Sequence, residues 1–288
     1  MKKFNKSKRI LITGGAGFIG GALVRRLLKE AECNIFILDK LGYASDHVGI
    51  QDILHSENPK RVTLLEIDLV NKTKTLDAIK KSDPDFIFHL AAESHVDRSI
   101  DSPSNFINSN IQGTFNLLEA TRLYLSKKNL KHNEFKFIHI STDEVFGSIE
   151  GNNLFREDSP YKPSSPYSAS KASSDHLALS WYLTYNLPVI VTHCSNNFGP
   201  YQFPEKLIPL AINKGLKKEK IPIYGNGSNI RNWIYVDDHV NALKIIAQKG
   251  TIGERYCIGG EEEISNIEVV GKICNLLKKY SNEYEYEN

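Results

Sequence analysis

Apolar residues recur along this chain in two rhythms. Short runs of nearly continuous apolar character, "RILIT", "NIFILD", "VTLLEID", "DFIFHLA", "FKFIHIS" and "LPVIVTHC", punctuate the first two-thirds. A strand apolar on both faces is one covered on both faces, as in a parallel sheet. Between several of these runs the apolar positions take helical spacing, over residues 18–30, 105–126 and 167–185. Strand, helix, strand in repetition predicts an α/β fold with a doubly wound parallel sheet and right-handed crossovers. After about Ser195 the pattern breaks into "NNFGPYQFPEK" and "PIYGNGSNIRN", rich in Gly, Pro, Asn and aromatics. This predicts two domains: a Rossmann-like one over 1–195 and a smaller ligand-binding region over 196–288, closing on the carboxyl edge of the sheet. The end, "SNEYEYEN", reads as a solvated tail.

Composition changes this picture little. A 288-residue chain that is 41% hydrophobic and 24% charged suits a soluble globular protein. A formal net charge of +2 gives no electrostatic case for nucleic acid or a membrane surface. The basic start lacks the apolar segment of a signal peptide, and no run is long enough to span a bilayer. Cys33, Cys194, Cys257 and Cys274 lie far apart without a C-x-x-C pair, which predicts reduced thiols in a cytoplasmic protein and no metal site. His95, His176 and His239 have no metal-ligand spacing either.

Chemistry enters at the strand ends. "ILITGGAGFIG" sets Gly15, Gly17 and Gly20 in G-x-G-x-x-G spacing, after a strand and opening a helix, with Gly14 beside them. Glycines there let the backbone approach a pyrophosphate at a helix N-terminus. Asp39, ending the second strand, would accept from ribose hydroxyls and favour NAD over its 2′-phosphorylated relative, a preference that Lys40 weakens slightly. Asp68 and "HLAA" at 89–92 end the next two strands and line the same crevice.

"PYSASK" places Tyr167 and Lys171 on one helix face, where the ammonium would lower the phenol's pKa and make a general base. Tyr124 and Lys128 repeat the spacing, but toward the end of a helix expected on the outer face of the sheet. Between the fifth strand and the Tyr167 helix stands "STDEVFG". Ser141 and Glu144 fit a capping box, and acids suit a first helical turn. Asp143 and Glu144 nevertheless follow a hydroxyl, Thr142, at the edge where the crevice opens. Hydride transfer assisted by tyrosine needs no further acid, so the pair points to a second proton-transfer step.

Taken in order, "GGAGFIG", "LAAESHVDRSI", "STDEVFG", "YSASKASSDH", "SNNFGPYQFPEKLIP" and "RNWIYVDDH" resemble the extended short-chain dehydrogenase/reductase superfamily, and within it the dTDP-glucose 4,6-dehydratase family. The resemblance runs from near the start to about residue 270. It implies oxidation at the sugar C4 with Tyr167 as base, Thr142 on the 4-oxygen and Lys171 on the ribose. Glu144 would then remove the C5 proton, Asp143 would protonate the departing 6-hydroxyl, and hydride would return to C6. It implies NAD held by Gly14, Gly17, Phe18, Ile19, Gly20, Asp39, Lys40, Asp68, Leu69, Leu90, Ala91, Ala92, Ser109, Tyr167, Lys171 and Asn197. The substrate, dTDP-glucose, would be held by Ser94, Thr142, Asn196, Lys206, Leu207, Pro222, Tyr224, Arg231 and Asn266. A homodimer through the helices at 105–126 and 167–185 is implied as well.

The chain departs from the family pattern at 42–46, at Phe146 and at Asn232. The resemblance also leads one to expect a further C-terminal segment with another arginine for the diphosphate. Two alternatives stand beside this reading. One is another nucleotide-sugar enzyme of the superfamily: an epimerase, a decarboxylase or a GDP-mannose dehydratase. The other is a nonenzymatic NAD-binding protein.

Overall fold

The computed structural model describes residues 4–55, 59–128, 134–149 and 154–284. Its strands are β1 (Arg9–Thr13), β2 (Asn34–Asp39), β3 (Val62–Glu66), β4 (Phe86–His89), β5 (Lys136–Thr142), β6 (Val189–Cys194), β7 (Asn196–Phe198), β8 (Ile230–Tyr235), β9 (Arg255–Ile258) and β10 (Glu263–Ser265). Helices are α1 (Phe18–Glu30), α2 (His47–Leu54), α3 (Lys72–Ser82), α4 (Val96–Asp101), α5 (Pro103–Phe106), α6 (Gly113–Leu125), α7 (Pro166–Tyr185), α8 (Leu207–Leu216), α9 (Val236–Lys249) and α10 (Asn266–Tyr284). Two compact units result: Met1–Cys194 with Asp237–Ile258, and Ser195–Val236 with Gly259–Asn288.

In the first unit seven strands run in the order β3-β2-β1-β4-β5-β6-β9, every described pairing parallel. The apolar runs explain it. Leu11, Phe36, Ile87, Phe137, Val189 and Val191 pack under Ala78 and Ile79 of α3, Leu117 and Leu118 of α6, and Ala178 of α7. Alternation along each strand turns Ile10, Ile12 and Ile138, also fully buried, to the opposite face. Each such side chain contributes about 1.5–3 kcal/mol on burial. The order reverses between β1 and β4, so the carboxyl ends of these strands flank a switch point where ligands of such sheets bind.

A single boundary at 195/196 does not describe the second half. Asp237–Ile258 returns to the first unit, because β9 extends the sheet beside β6, Val191 opposite Arg255. The second unit is a small sheet, β10-β8-β7, with β10 antiparallel and β7 parallel to β8. Its core is Ala211 of α8 with Val269, Val270 and Ile273 of α10. Helix α10 runs to Tyr284, into the stretch expected to be a tail, whose last four residues lie outside the described ones. Among the described residues no helix is long and apolar enough to cross a membrane.

The helix expected over 105–126 is interrupted. Between α5 and α6 the residues Ile107–Gln112 form a π-helical turn. Such wide turns sit disproportionately at functional sites. This one carries Asn110 inward, where it is buried and bonds both the loop after β4 and Ser170 of α7.

Candidate active site

β5 ends by delivering Thr142, buried, to the carboxyl edge of the sheet. The chain then turns through a short 3₁₀ segment, Asp143–Phe146, so both acids occupy its first turn. Thr142, not Ser141, is its cap: Thr142 Oγ1 accepts from the Glu144 N–H at 3.2 Å. The capping box expected between Ser141 and Glu144 is therefore absent, because alternation along β5 sends Ser141 inward, where it donates to Asp175 at 2.9 Å. Thr142 Oγ1 also lies 3.3 Å from Asp143 Oδ1.

Helix α7 brings up the tyrosine and lysine. Ser165 caps it reciprocally with Ser168: Ser165 Oγ accepts from Ser168 N at 3.0 Å and Ser168 Oγ from Ser165 N at 2.9 Å. Pro166 at the first position fixes the entry, and Tyr167 and Lys171 follow on one face, both buried. Burial, then the Glu144 carboxylate, push the Tyr167 phenol well above its ordinary pKa; the Thr142 hydroxyl, a hydrogen-bonding neighbour, works the other way. Burial lowers the Lys171 pKa, and its Nζ donates to the Ile140 carbonyl at 2.9 Å. The second Tyr-x-x-x-Lys pair is elsewhere, with Tyr124 and Lys128 both bound to Asp83 at the end of α3.

The glycine loop of residues 14–20 is a cradle that side chains would fill. A Cβ on Gly14, at φ +70°, would sit 2.7 Å from Ala91 N, and one on Gly20 would sit 2.2 Å from Gly14 O. Gly17 caps α1 without any side-chain partner for the first-turn N–H groups, while Phe18 and Ile19 are half-exposed at its mouth. Asp39 Oδ2 accepts from Ala16 N at 3.0 Å, and its Oδ1 from Leu41 N at 2.9 Å, which seats the carboxylate at the tip of β2. Lys40 turns away to Glu93 at 2.6 Å and Ser109 at 3.1 Å, joining the loops after β2 and β4. Leu90 and Ala91 are tied to Thr13 by their N–H groups, and Ala92 follows them. Leu69 is core beneath Gly113, Asp68 is exposed with its Oδ1 on Val70 N, and Ser94 is exposed. Backbone N–H groups, a positive helix end and a carboxylate at a strand tip fit a dinucleotide.

The other expected residues belong to the second unit. Asn196 and Asn197 are on β7, Arg231 on β8, Lys206 caps α8, and Asn266 opens α10. Arg231 is exposed on the central strand, opposite Ile264 of β10. Asn196 Nδ2 reaches Asn232 O at 3.4 Å, and Asn197 is held by Ser195 O and by Gln202. Leu207 packs into the unit's core, while Pro222 and Tyr224 are exposed before β8.

A model of the family described as GDP-mannose 4,6 dehydratase matches residues 11–287. A probable dTDP-glucose 4,6-dehydratase of Sinorhizobium fredii is 49% identical over 276 residues, 95% of this chain and 77% of that protein. The dTDP-glucose 4,6-dehydratase of Neisseria meningitidis serogroup B is 50% identical over 278 residues, 96% of this chain and 78% of that one. The chain belongs to the dTDP-glucose 4,6-dehydratase family. The solved dTDP-glucose 4,6-dehydratase DesIV of Streptomyces venezuelae, with NAD and TYD bound, superposes with a TM-score of 0.86 at 39% identity, over 94% of this chain and 81% of that one.

Within this dTDP-glucose 4,6-dehydratase family fold, the acids, Thr142, Tyr167 and Lys171 converge in the first unit at the carboxyl edge of the sheet. Sequence reasoning missed the polar groups beneath them. His139, Asp175 and His193 are fully buried, and Asp175 lies one turn beyond Lys171 on α7. The signal was available in "YSASKASSDH": an acid four residues after a lysine on a helix that must be buried.

Proposed function

We propose that the protein converts dTDP-glucose to dTDP-4-keto-6-deoxyglucose and water, as an NAD-dependent 4,6-dehydratase in deoxysugar synthesis. The observation that carries this reading is the pair of acids beside Thr142 and Tyr167. An epimerase or simple dehydrogenase needs the tyrosine; loss of water needs an acid and a base besides. NAD, when bound in the glycine cradle and on Asp39, supplies a hydride acceptor that later returns the hydride.

Tyr167 takes the proton of the 4-hydroxyl, and Thr142 orients that oxygen. The ketone formed at C4 acidifies the C5 hydrogen, which Glu144 removes as a proton. Asp143 delivers a proton to the departing 6-hydroxyl, and Glu144 returns its own to C5. One proton must then pass from Tyr167 to Asp143 before the next turnover. Thr142 Oγ1, beside the phenol and 3.3 Å from Asp143, is the group placed between them. Asn196, Lys206, Arg231 and Asn266 are the nucleotide and diphosphate ligands in this reading, since guanidinium and ammonium groups suit phosphate.

The four free thiols fit a cytoplasmic setting. Exposed Leu183 and Tyr185 on α7 fit a homodimer, which sedimentation velocity would resolve from a monomer. The test of function is incubation of the purified protein with NAD and dTDP-glucose, following the alkali-induced absorbance of a 4-keto-6-deoxy sugar. Product from dTDP-glucose and none from GDP-mannose is the expected result. Epimerised UDP-sugar with dTDP-glucose untouched would overturn the reading.

A further inference from the structure

Beneath the proposed catalytic groups lies a carboxylate that the chemistry above does not use. Asp175 is fully buried on α7, in the first unit, with no exposure at all. Its Oδ1 accepts from His139 Nε2 at 3.0 Å. Its Oδ2 is shared by Ser141 Oγ at 2.9 Å, His193 Nε2 at 3.0 Å and the Tyr161 hydroxyl at 3.2 Å. A carboxylate has about four acceptor positions, so these donors saturate it. They come from β5, from β6 and from the loop that precedes α7, so one anion binds three segments of the chain together.

Of these donors, Ser141 is a neutral hydroxyl, and burial holds Tyr161 protonated by raising its pKa. Burial, with Lys171 nearby, lowers the His139 pKa to about 4. The Nδ1 atoms of His139 and His193 have no partner among the described residues, which is tolerable for a bare acceptor nitrogen and costly for an N–H. The tautomers assigned from these contacts therefore keep the proton on Nε2, facing Asp175. An ionised carboxylate held only by neutral donors would leave a net negative charge in the core. Lys171 stands one helical turn back on α7, and Asp175 is the first of the neighbours that raise its pKa.

We propose that Asp175 is a positioning residue for this site: its buried carboxylate keeps Lys171 a cation and locks the Thr142 end of β5 and the end of β6 to helix α7. The inference rests on the dehydratase reading for its consequences in turnover, not for its physical basis. Ser141 precedes Thr142, so the Ser141–Asp175 bond fixes the strand end that presents the Thr142 hydroxyl. Lys171 and Tyr167 ride on the same helix, so a single anchor sets tyrosine, lysine and threonine relative to one another. Burial lowers the Lys171 pKa, and the Asp175 and Cys194 neighbours raise it, Asp175 first. The other titratable groups facing this pair are His89 from β4, His139 from β5, His193 from β6, Tyr167 on α7 itself and Tyr161, over whose ring Arg255 sits at 5.8 Å. Among these, Asp175 is the fixed anion.

The decisive measurement is the titration of Lys171 in Asp175→Asn, read from lysine Cε shifts with Lys171→Met giving the assignment. Without the carboxylate the lysine titrates at a lower pH than in the unsubstituted protein. The high-pH limb of turnover on dTDP-glucose moves down by the same amount, so activity lost at pH 8.5 returns in part at pH 6.5. Tyr161→Phe, which removes one donor and leaves the charge, moves neither. An unchanged Lys171 titration, or an equal loss of activity at every pH, would overturn the proposal. Should Asp175→Asn fail to fold, the double variant Lys171→Met with Asp175→Asn decides: a cooperative thermal unfolding transition in the double variant shows that the two charges form a pair, and its absence shows that they act separately. Absence of turnover by the unsubstituted protein would instead count against the dehydratase reading, and the lysine titration would still stand.

Discussion

Asp143 and Glu144 are neighbours in sequence yet have opposite tasks, and the tasks separate by substitution. Glu144→Gln removes the base for the C5 proton but leaves Thr142, Tyr167 and Lys171 in place. Loss of a general base costs about 10²–10⁴ in rate. Dehydration should therefore fall by that order while reduced cofactor still accumulates, visible as a persistent absorbance in stopped flow. The same substitution removes the negative charge that, after burial, does most to raise the Tyr167 pKa. Ionisation of the phenol becomes easier, so the pH limb for cofactor reduction should move to lower pH. A loss of cofactor reduction equal to the loss of dehydration would refute this division of labour. The candidate residues could be named from the sequence because chemistry restricts them to few types at strand ends and at one turn of a helix. Their electrostatics were not: the Tyr167 phenol is governed by burial and by Glu144, neither of which spacing reveals.

At the scale of the element, helix α7 carries Tyr167 in its first turn, and that turn depends on a serine pair. Ser165→Ala breaks the reciprocal cap and should cost about 1 kcal/mol of stability. Thermal unfolding should fall by a few degrees, whereas turnover should fall further, since fraying displaces Tyr167 from Thr142. Ser165→Thr, which keeps the oxygen, should restore both; equal turnover in all three proteins would show that the cap does not position the tyrosine. The strands β1 and β2 were legible to the residue, and β6 to within two residues at its start, because each is an apolar run covered on both faces. β9 was not, since "RYCI" keeps only Ile258 buried and so lacks that signature. The π turn within the predicted helix was hidden too. It arises from Asn110 and Thr114 bonding into the loop after β4 and His89, and hydrophobic spacing carries no trace of such bonds.

For the molecule as a whole, the interior is unusually rich in imidazole, and only strand register shows it. The parallel pairing sets His89 opposite His139, and Ser141 opposite His193, although these residues lie scores of positions apart in the chain. The cluster could not be read from sequence without that register. Its consequence is a stability that depends on pH. Burial lowers His139 and His239 to about 4 and holds His89 lower than its ordinary value. An unfolded chain takes up those protons near pH 6.5, and the folded one refuses them until about pH 4. Between the two values the unfolded state binds more protons, so stability rises with pH and is lost on acidification. Asp175 acts below this window: its folded pKa lies under the unfolded one near 3.8, so its contribution disappears only in stronger acid. Each histidine contributes ~1.4 kcal/mol per pH unit within the window. Urea unfolding at pH 7 and pH 5 should therefore differ by about 4 kcal/mol from His139 and His239 alone, in favour of pH 7. A stability unchanged between these two pH values would mean that the imidazoles protonate in the folded protein, and that the core admits charge more readily than its packing implies.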